Sequence, residues 1–594
     1  MGPQFGQETH QIVDGDLDMG AVPSDRQSFS MLEDESFLST HIWQPSTSNG
    51  PITQEHPCRP GPSIQSNSMA RTEFPGVPAS LTHLPSSLIG FWFAQVCPVW
   101  SAFDSTTNYN RDVPSNTWST SEVVFHTLQS MAASFLANTV PHLKAKLPSL
   151  TMQATVAIKE RVQNLKRCKT SQVTADLIFA VLGMGTSSHW INPIIDSKWL
   201  DDARELLDRW GARLQPHESP VHAYFKYALV HWRMLMSVAD SDLINSNLEL
   251  RRHQTRHILC SALQLDHNTA STKQPSLLGP LPCSKATWPS SWCGVSAEVV
   301  DLFGQAVTLC RDSRARQLRT STLSIDAARD VLCDAKVAQE LENELINMDM
   351  QQTVSGDEPL LTWDDVTPIS HLVQTAEAYR LAALLQLYLT FEELQVSSGF
   401  SDCNLTDSTG NHIDHSTRSE RLVTLATTIS TILERIPPES RSRSIHPILY
   451  LSVAAGLRFE TDIISSNSTA VSEGVSVAMD PSELESLYID PALLRGGEDA
   501  AETSVNEHRE FSALDPLQHD PLAISSSTLA IANARRFVSL RLSILQYSLP
   551  TRPLDILSDL VKAIWKRYDE SNADAQKPHW LDVMVDSGLQ TLFK

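Results

Sequence analysis

The stretch TAEAYRLAALLQLYLTFEEL, residues 375–394, constrains this chain most. Set on a helix, Arg380, Ala383, Gln386, Thr390 and Glu393 trace one narrow polar stripe. Leu381, Leu384, Leu385, Tyr388, Leu389 and Phe391 cover most of the remaining girth. A helix apolar nearly all round either crosses a membrane or sits inside a large protein. Crossing needs about 20 apolar residues without charge. Here Glu377, Arg380, Glu392 and Glu393 bracket only about a dozen. The stretch therefore reads as a central core helix, and such a helix needs apolar neighbours on several sides.

The rest of the sequence offers those neighbours. STSEVVFHTLQSMAASFL opens with a capping box, Ser119 to Glu122, ahead of an apolar run. Apolar residues recur at helical spacing over 151–168, 174–184, 201–210, 295–310 and 324–348. They do so again over 421–436, 445–459, 529–545 and 553–568, and no run of strands or hairpins interrupts them. The expected fold is all-α: one large helical domain of about fifteen helices over residues 85–594. Connectors near 265–292, 351–364, 400–416 and 463–524 are polar. The first and last are too long for ordinary loops and read as disordered insertions, the last strongly acidic (GGEDAAETSVNEHREF).

Residues 1–84 are rich in Pro, Ser, Gln, Gly and acid, with little periodicity, and read as a disordered acidic tail. Inside it, Glu33, Asp34 and Glu35 are flanked by Met31, Leu32, Phe37, Leu38, Ile42 and Trp43. Charge keeps such a segment solvated while its apolar groups stay available to a partner's groove, the physics of an acidic activation segment. The plainer reading is an ordinary tail.

Net charge excludes some partners. Formal charge is −23 over 594 residues, so the chain as a whole repels nucleic acid and anionic membranes. The nine cysteines are scattered and none stand in CxxC spacing, which points to a reducing compartment without a disulfide framework. The opening MGPQFGQETHQIVDGDLDMG has no apolar run, so no secretory signal is expected.

Chemical motifs fail on inspection. Gly183 and Gly185 give G-x-G, but Ser188 stands where a dinucleotide loop needs its third glycine, and the expected reading is a helix ending at glycine. In HESPVH (217–222) the histidines are five apart, and Pro220 is expected to break the helix that would aim both at one metal. Neither a G-x-S-x-G elbow nor a phosphate-binding G-x-x-x-x-G-K-[ST] loop occurs. The basic residues Lys159, Arg161, Lys166, Arg167 and Lys169, and the stretch RDSRARQLR (311–319), read as solvated helix faces, with phosphate contact as the alternative. Phe91, Trp92, Phe93 and Trp100 crowd one segment, as core or as the wall of a small apolar pocket. No catalytic, cofactor-binding or metal-ligating residue is assigned.

Taken in order, several segments resemble the fungal-specific transcription factor domain family. In LIGFWFAQVCPVWSAFDSTTNYNRD (88–112) the shared features are Cys97, Pro98, Ser101, Ala102, Phe103 and Asp104, followed by Asn108 or Asn110. Ala132, Ala133 and Ser134 fit the next helix, WLDDARELLDRW (199–210) a later one, and GVSAEVVDLFGQAVTL with Gly304 another. Ala378, Tyr379, Ala382, Ala383 and Leu384 form the most recognisable piece. PILYLSVAAGLRFETD (447–462) follows, and Trp580, Val583 and Met584 resemble the closing stretch. The resemblance spans about 85–594 and implies an all-helical, non-catalytic regulatory domain of nuclear transcription regulators.

Family members usually carry an N-terminal zinc cluster of six cysteines in a short basic segment. Before Cys97 this sequence has one cysteine, Cys58, so zinc is expected only with a cysteine cluster upstream. Direct DNA contact is not expected of these residues. The implied partners are transcription machinery proteins, with a homodimer or a heterodimer with a DNA-binding relative as the assembly. The implied work is regulation of RNA polymerase II genes of a metabolic or secondary-metabolite set, in the nucleus and without a membrane. The alternatives are a cluster-less co-regulator, scaffold or small-molecule sensor, and an enzyme with an unrecognised helical site.

Overall fold

The computed structural model describes residues 83–104, 108–168, 172–192, 196–239, 245–262, 290–319, 324–348, 362–394, 418–459, 526–570 and 578–593. By its contacts the chain separates into Met1–Ser87 and Leu88–Lys594. The described residues form sixteen helices and no strand, the all-α architecture that the periodicity requires.

The first helix, α1, runs Leu84–Phe91, continues through a π turn at Trp92–Val96 and closes at Cys97–Trp100. Then come α2 (Tyr109–Thr117), α3 (Glu122–Leu136), α4 (Pro141–Arg167), α5 (Ala175–Ser187), α6 (Lys198–Gly211), α7 (Ser219–Ala239) and α8 (Ser246–Ala262). The later helices are α9 (Ala297–Arg319), α10 (Ile325–Asn347), α11 (Ile369–Thr390), α12 (Arg418–Glu434) and α13 (Pro447–Gly456). The last three are α14 (Ser526–Leu545), α15 (Thr551–Asp569) and α16 (Trp580–Asp586).

Helix α11 is the predicted core helix and lies where its composition demands. It packs against α9, α10, α12 and α13, so apolar partners surround it. The stripe of Ala383 and Gln386 does not reach water, because both are buried. Inside the protein the Gln386 side-chain oxygen accepts a hydrogen bond from Trp580 Nε1 at 2.7 Å, while its amide nitrogen is buried without a partner among the described residues. Helices α3, α4 and α5 pack together, and α7 links them to α9.

Several sequence expectations need correction. The capping box at Ser119 does not form: α3 begins at Glu122 behind Ser121, whose hydroxyl donates to Asp176 on α5 at 2.6 Å. The glycines of LGMG do not end α5, which continues to Ser187. Gly185 is there for packing, since a Cβ would stand 2.1 Å from the ring of Trp232. Pro220 does not break a helix but sits in the first turn of α7, where its missing N–H costs nothing. His222 is buried beside the Leu207 carbonyl at 3.0 Å.

RDSRARQLR is not a solvated face. Helix α9 runs on to Arg319, and Arg311 donates to the Ser237 carbonyl at 2.6 Å. Arg314 pairs with Asp582, and Arg316 with the buried Asp334. Asp334 also receives Arg252, itself buried and bonded to Glu249 and Asp312. The cluster at the end of α4 stays closer to expectation: Lys166 reaches Glu205 at 3.2 Å on the surface.

Two connectors read as loops also belong to the core at their ends. Ser291, Trp292 and Cys293 are buried, and Gly294 takes φ +69°, which a side chain would strain. Thr362, Asp364 and Thr367 are buried as well. The rest of these two connectors, and those at 400–416 and 463–524, lie outside the described residues.

Candidate functional site

Two polar clusters lie at the two ends of α11. At the N-terminal end, the segments that carry the family resemblance meet in a closed hydrogen-bond network. Asn108 caps α2 by accepting from Asn110 N, at 3.1 Å. Its amide donates to Ser101 Oγ at 3.1 Å and Asp104 Oδ1 at 3.0 Å. Its carbonyl also accepts from Ser291 Oγ at 3.0 Å, and Ser291 donates to Tyr224 at 3.2 Å as an alternative.

Arg111 clamps Asp104 and reaches the Phe93 carbonyl at 3.0 Å. Burial works against the Asp104 carboxylate, but the Arg111 and Asn108 hydrogen bonds outweigh it and hold its pKa low. Asp364 closes the network: it accepts from Asp104 N at 2.9 Å, Arg441 Nε at 2.8 Å and Val366 N at 3.1 Å. Burial raises the Cys97 thiol and the Tyr224 phenol, so both stay protonated at neutral pH. The network ties α1, α2, α7 and two connectors together.

The aromatic segment belongs to the same core. Trp100 packs on Trp292 with ring centroids 4.8 Å apart and donates from Nε1 to Thr186 at 3.1 Å. Trp92 meets Phe179 at 5.7 Å. These rings fill space with edge contacts.

The C-terminal end of α11 is different. Its last carbonyls would be orphaned, as at any helix end. Arg418, the first residue of α12, answers them: Nη1 donates to Leu394 O at 2.5 Å, and Nη2 to Tyr388 O at 2.6 Å and Phe391 O at 2.8 Å. A cation there also complements the negative pole of the helix. Burial lowers the Arg418 pKa, with Glu392 and Glu393 pulling the other way.

Beside Arg418 opens a cleft of about 550 Å³, within the range of small-molecule sites. Arg314, Arg458 and His579 share its wall with Leu389, Leu422 and Val423. Arg458 donates to the Pro578 carbonyl at 2.6 Å and lies over the Tyr568 ring at 4.0 Å.

His579 has a fixed tautomer. Its Nδ1 accepts from Leu581 N at 3.2 Å, so Nε2 carries the proton and donates to Thr390 Oγ1 at 3.2 Å. Thr390 in turn donates to the Gln386 carbonyl at 3.1 Å. Burial, reinforced by Arg314 and Arg458, pushes the His579 pKa down to about 3. Such an imidazole stays neutral near pH 7 with both nitrogens engaged. The cleft thus offers fixed cations beside an apolar wall, an arrangement for holding a ligand.

The predicted activation segment, Met31–Trp43, lies outside the described residues. The sequence reading missed Arg418, Arg458 and His579. A signal existed for Arg458, an arginine closing the apolar run PILYLSVAAGLRF. Among the described residues, no group of three or more His, Cys, Asp or Glu could hold a metal ion, and no helix is long and apolar enough to cross a membrane.

Residues 87–462 match the family model described as fungal specific transcription factor domain. No curated protein and no solved structure matches the chain.

Proposed function

The chain belongs to the fungal-specific transcription factor domain family, and we propose that it regulates RNA polymerase II genes of a metabolic or secondary-metabolite set from within the nucleus. That it is a transcription regulator follows from the family. The match over 87–462 is the observation that carries the finer reading. The helical body acts without catalysis, as a rigid platform. The acidic, apolar segment 31–43 engages the transcription machinery through Met31, Leu32, Phe37, Leu38, Ile42 and Trp43. The chain assembles as a homodimer or as a heterodimer with a DNA-binding relative, and a charge of −23 supports recruitment to DNA through such a relative.

A reporter assay tests this reading. The full chain is fused to a heterologous DNA-binding module and compared with a version lacking 31–43. The expected result is activation by the full fusion and a severalfold loss on deletion. Equal activation by both would remove the segment's role, and no effect of either on the reporter would overturn the reading.

A further inference from the structure

The cleft beside the C-terminal end of α11 has a chemistry that the family match does not assign. Three guanidinium groups stand in its wall, and they are not equally occupied. Arg314 is matched by the Asp582 carboxylate. Arg418 and Arg458 are held by carbonyl oxygens and a ring, and among the described residues neither has a carboxylate within ion-pair distance.

Guanidinium carries five N–H donors. Arg418 commits three of them to carbonyls, and Arg458 one to the Pro578 carbonyl with the Tyr568 side chain as a second partner, so both keep donors for a further acceptor. Glu392 and Glu393 also line the cleft, but both are exposed, where water screens them. Arg418 and Arg458 are only partly exposed, so an anion placed between them feels a stronger field than one at the rim. Leu389, Leu422 and Val423 supply apolar surface within the same space.

We propose that this cleft binds a small amphipathic organic anion, its carboxylate or equivalent oxyanion held by Arg418 and Arg458 and its apolar part against Leu389, Leu422 and Val423. Planar guanidinium suits an oxyanion because two parallel N–H groups can face two oxygens. The bound molecule would bridge α11, α12 and the segments after α13 and before α16, which otherwise meet here around open space. The proposal stands apart from the transcriptional reading, since binding is measured on the purified chain alone.

The test uses full-length protein and three probes of one chain length: octanoate, 1-octanol and octylamine. Titration calorimetry and thermal melting are read at pH 7.5 and matched free concentration. Octanoate is expected to bind at least tenfold more tightly than either isostere and to raise the melting temperature. Arg458→Gln should weaken octanoate at least tenfold, whereas Arg161→Gln, on the exposed face of α4, should leave it unchanged. If Arg458→Gln does not melt cooperatively, Leu422→Trp, which fills the cleft, must show the same loss. Octylamine or 1-octanol binding as tightly as octanoate, no binding of octanoate, or unaltered binding by the variants would overturn the assignment.

Discussion

At the N-terminal end of α11, Asp364 is buried and spends its carboxylate on Asp104 N, Val366 N and Arg441. At the C-terminal end, Arg418 and Arg458 also reach backbone carbonyls, yet both face a cleft of about 550 Å³. One helix thus connects a polar cluster whose bonds run mostly among its own members, the Asn110 Oδ1 apart, with another that keeps donors in reserve. A closed cluster contributes order and stability, because removing any member leaves a buried group unpaired. An open one has capacity left for a partner molecule. Substitutions at the two ends should therefore differ in kind: stability should fall at the first, and ligand response at the second.

The largest expected effect belongs to Asp364→Ala. It strands a backbone N–H of Asp104 and leaves Arg441 without its carboxylate, so unfolding in urea should show a loss of about 3–5 kcal/mol. A loss below about 1 kcal/mol would mean that the N-terminal cluster is not the tie described here.

Acid should strain both ends alike. His446, which meets Thr375 Oγ1 at 3.2 Å near the start of α11, and His579 at its far end are each pushed to about 3, chiefly by burial. Arg541, His371 and Arg443 reinforce the shift at His446, and Arg314 and Arg458 do so at His579. The unfolded chain takes up these protons near 6.5, so the stability is complete above that pH and is lost as pH falls toward 3. Between pH 7 and pH 5 each histidine should remove about 2 kcal/mol. His446→Gln and His579→Gln, compared with the parent chain by denaturation across this range, should each flatten the slope. An unchanged slope in both would refute the buried neutral state.

Smaller effects sharpen the contrast. Arg458→Gln should cost only about 1 kcal/mol of stability, from one carbonyl bond and the Tyr568 stacking, while abolishing most octanoate binding. A loss as large as that of Asp364→Ala would make the cleft a structural element like its opposite. Smallest of all is Trp363→Asn. Trp363 holds φ +56° and is 72% exposed, so it spends backbone strain for little packing. Asparagine tolerates that conformation, and thermal melting should show a gain of about 0.5–1 kcal/mol.

The sequence made one end of this comparison easier to see than the other. The central helix was legible because its apolar girth and its bracketing charges depend only on local spacing. The N-terminal cluster was half visible: Cys97, Ser101, Asp104 and Asn108 stood out together, but Ser291 and Asp364 lie in stretches that read as polar loops. Ser291 reaches Asn108 across 183 residues and Asp364 reaches Asp104 across 260, so no local pattern could show that they are buried. The arginines of α9 were misread for the same reason, since Asp582 is 268 residues from Arg314. Gly185 looked like a helix stop because its reason, the ring of Trp232, comes from another helix. The cleft was illegible altogether: it exists only where the ends of several helices meet.

The most direct test of the account is chromatin immunoprecipitation of the native chain, sequenced and paired with transcript profiles of a strain that lacks it. The account predicts enrichment at a restricted set of promoters whose transcripts change when the chain is removed. Absence of promoter enrichment, together with unchanged transcripts, would contradict it.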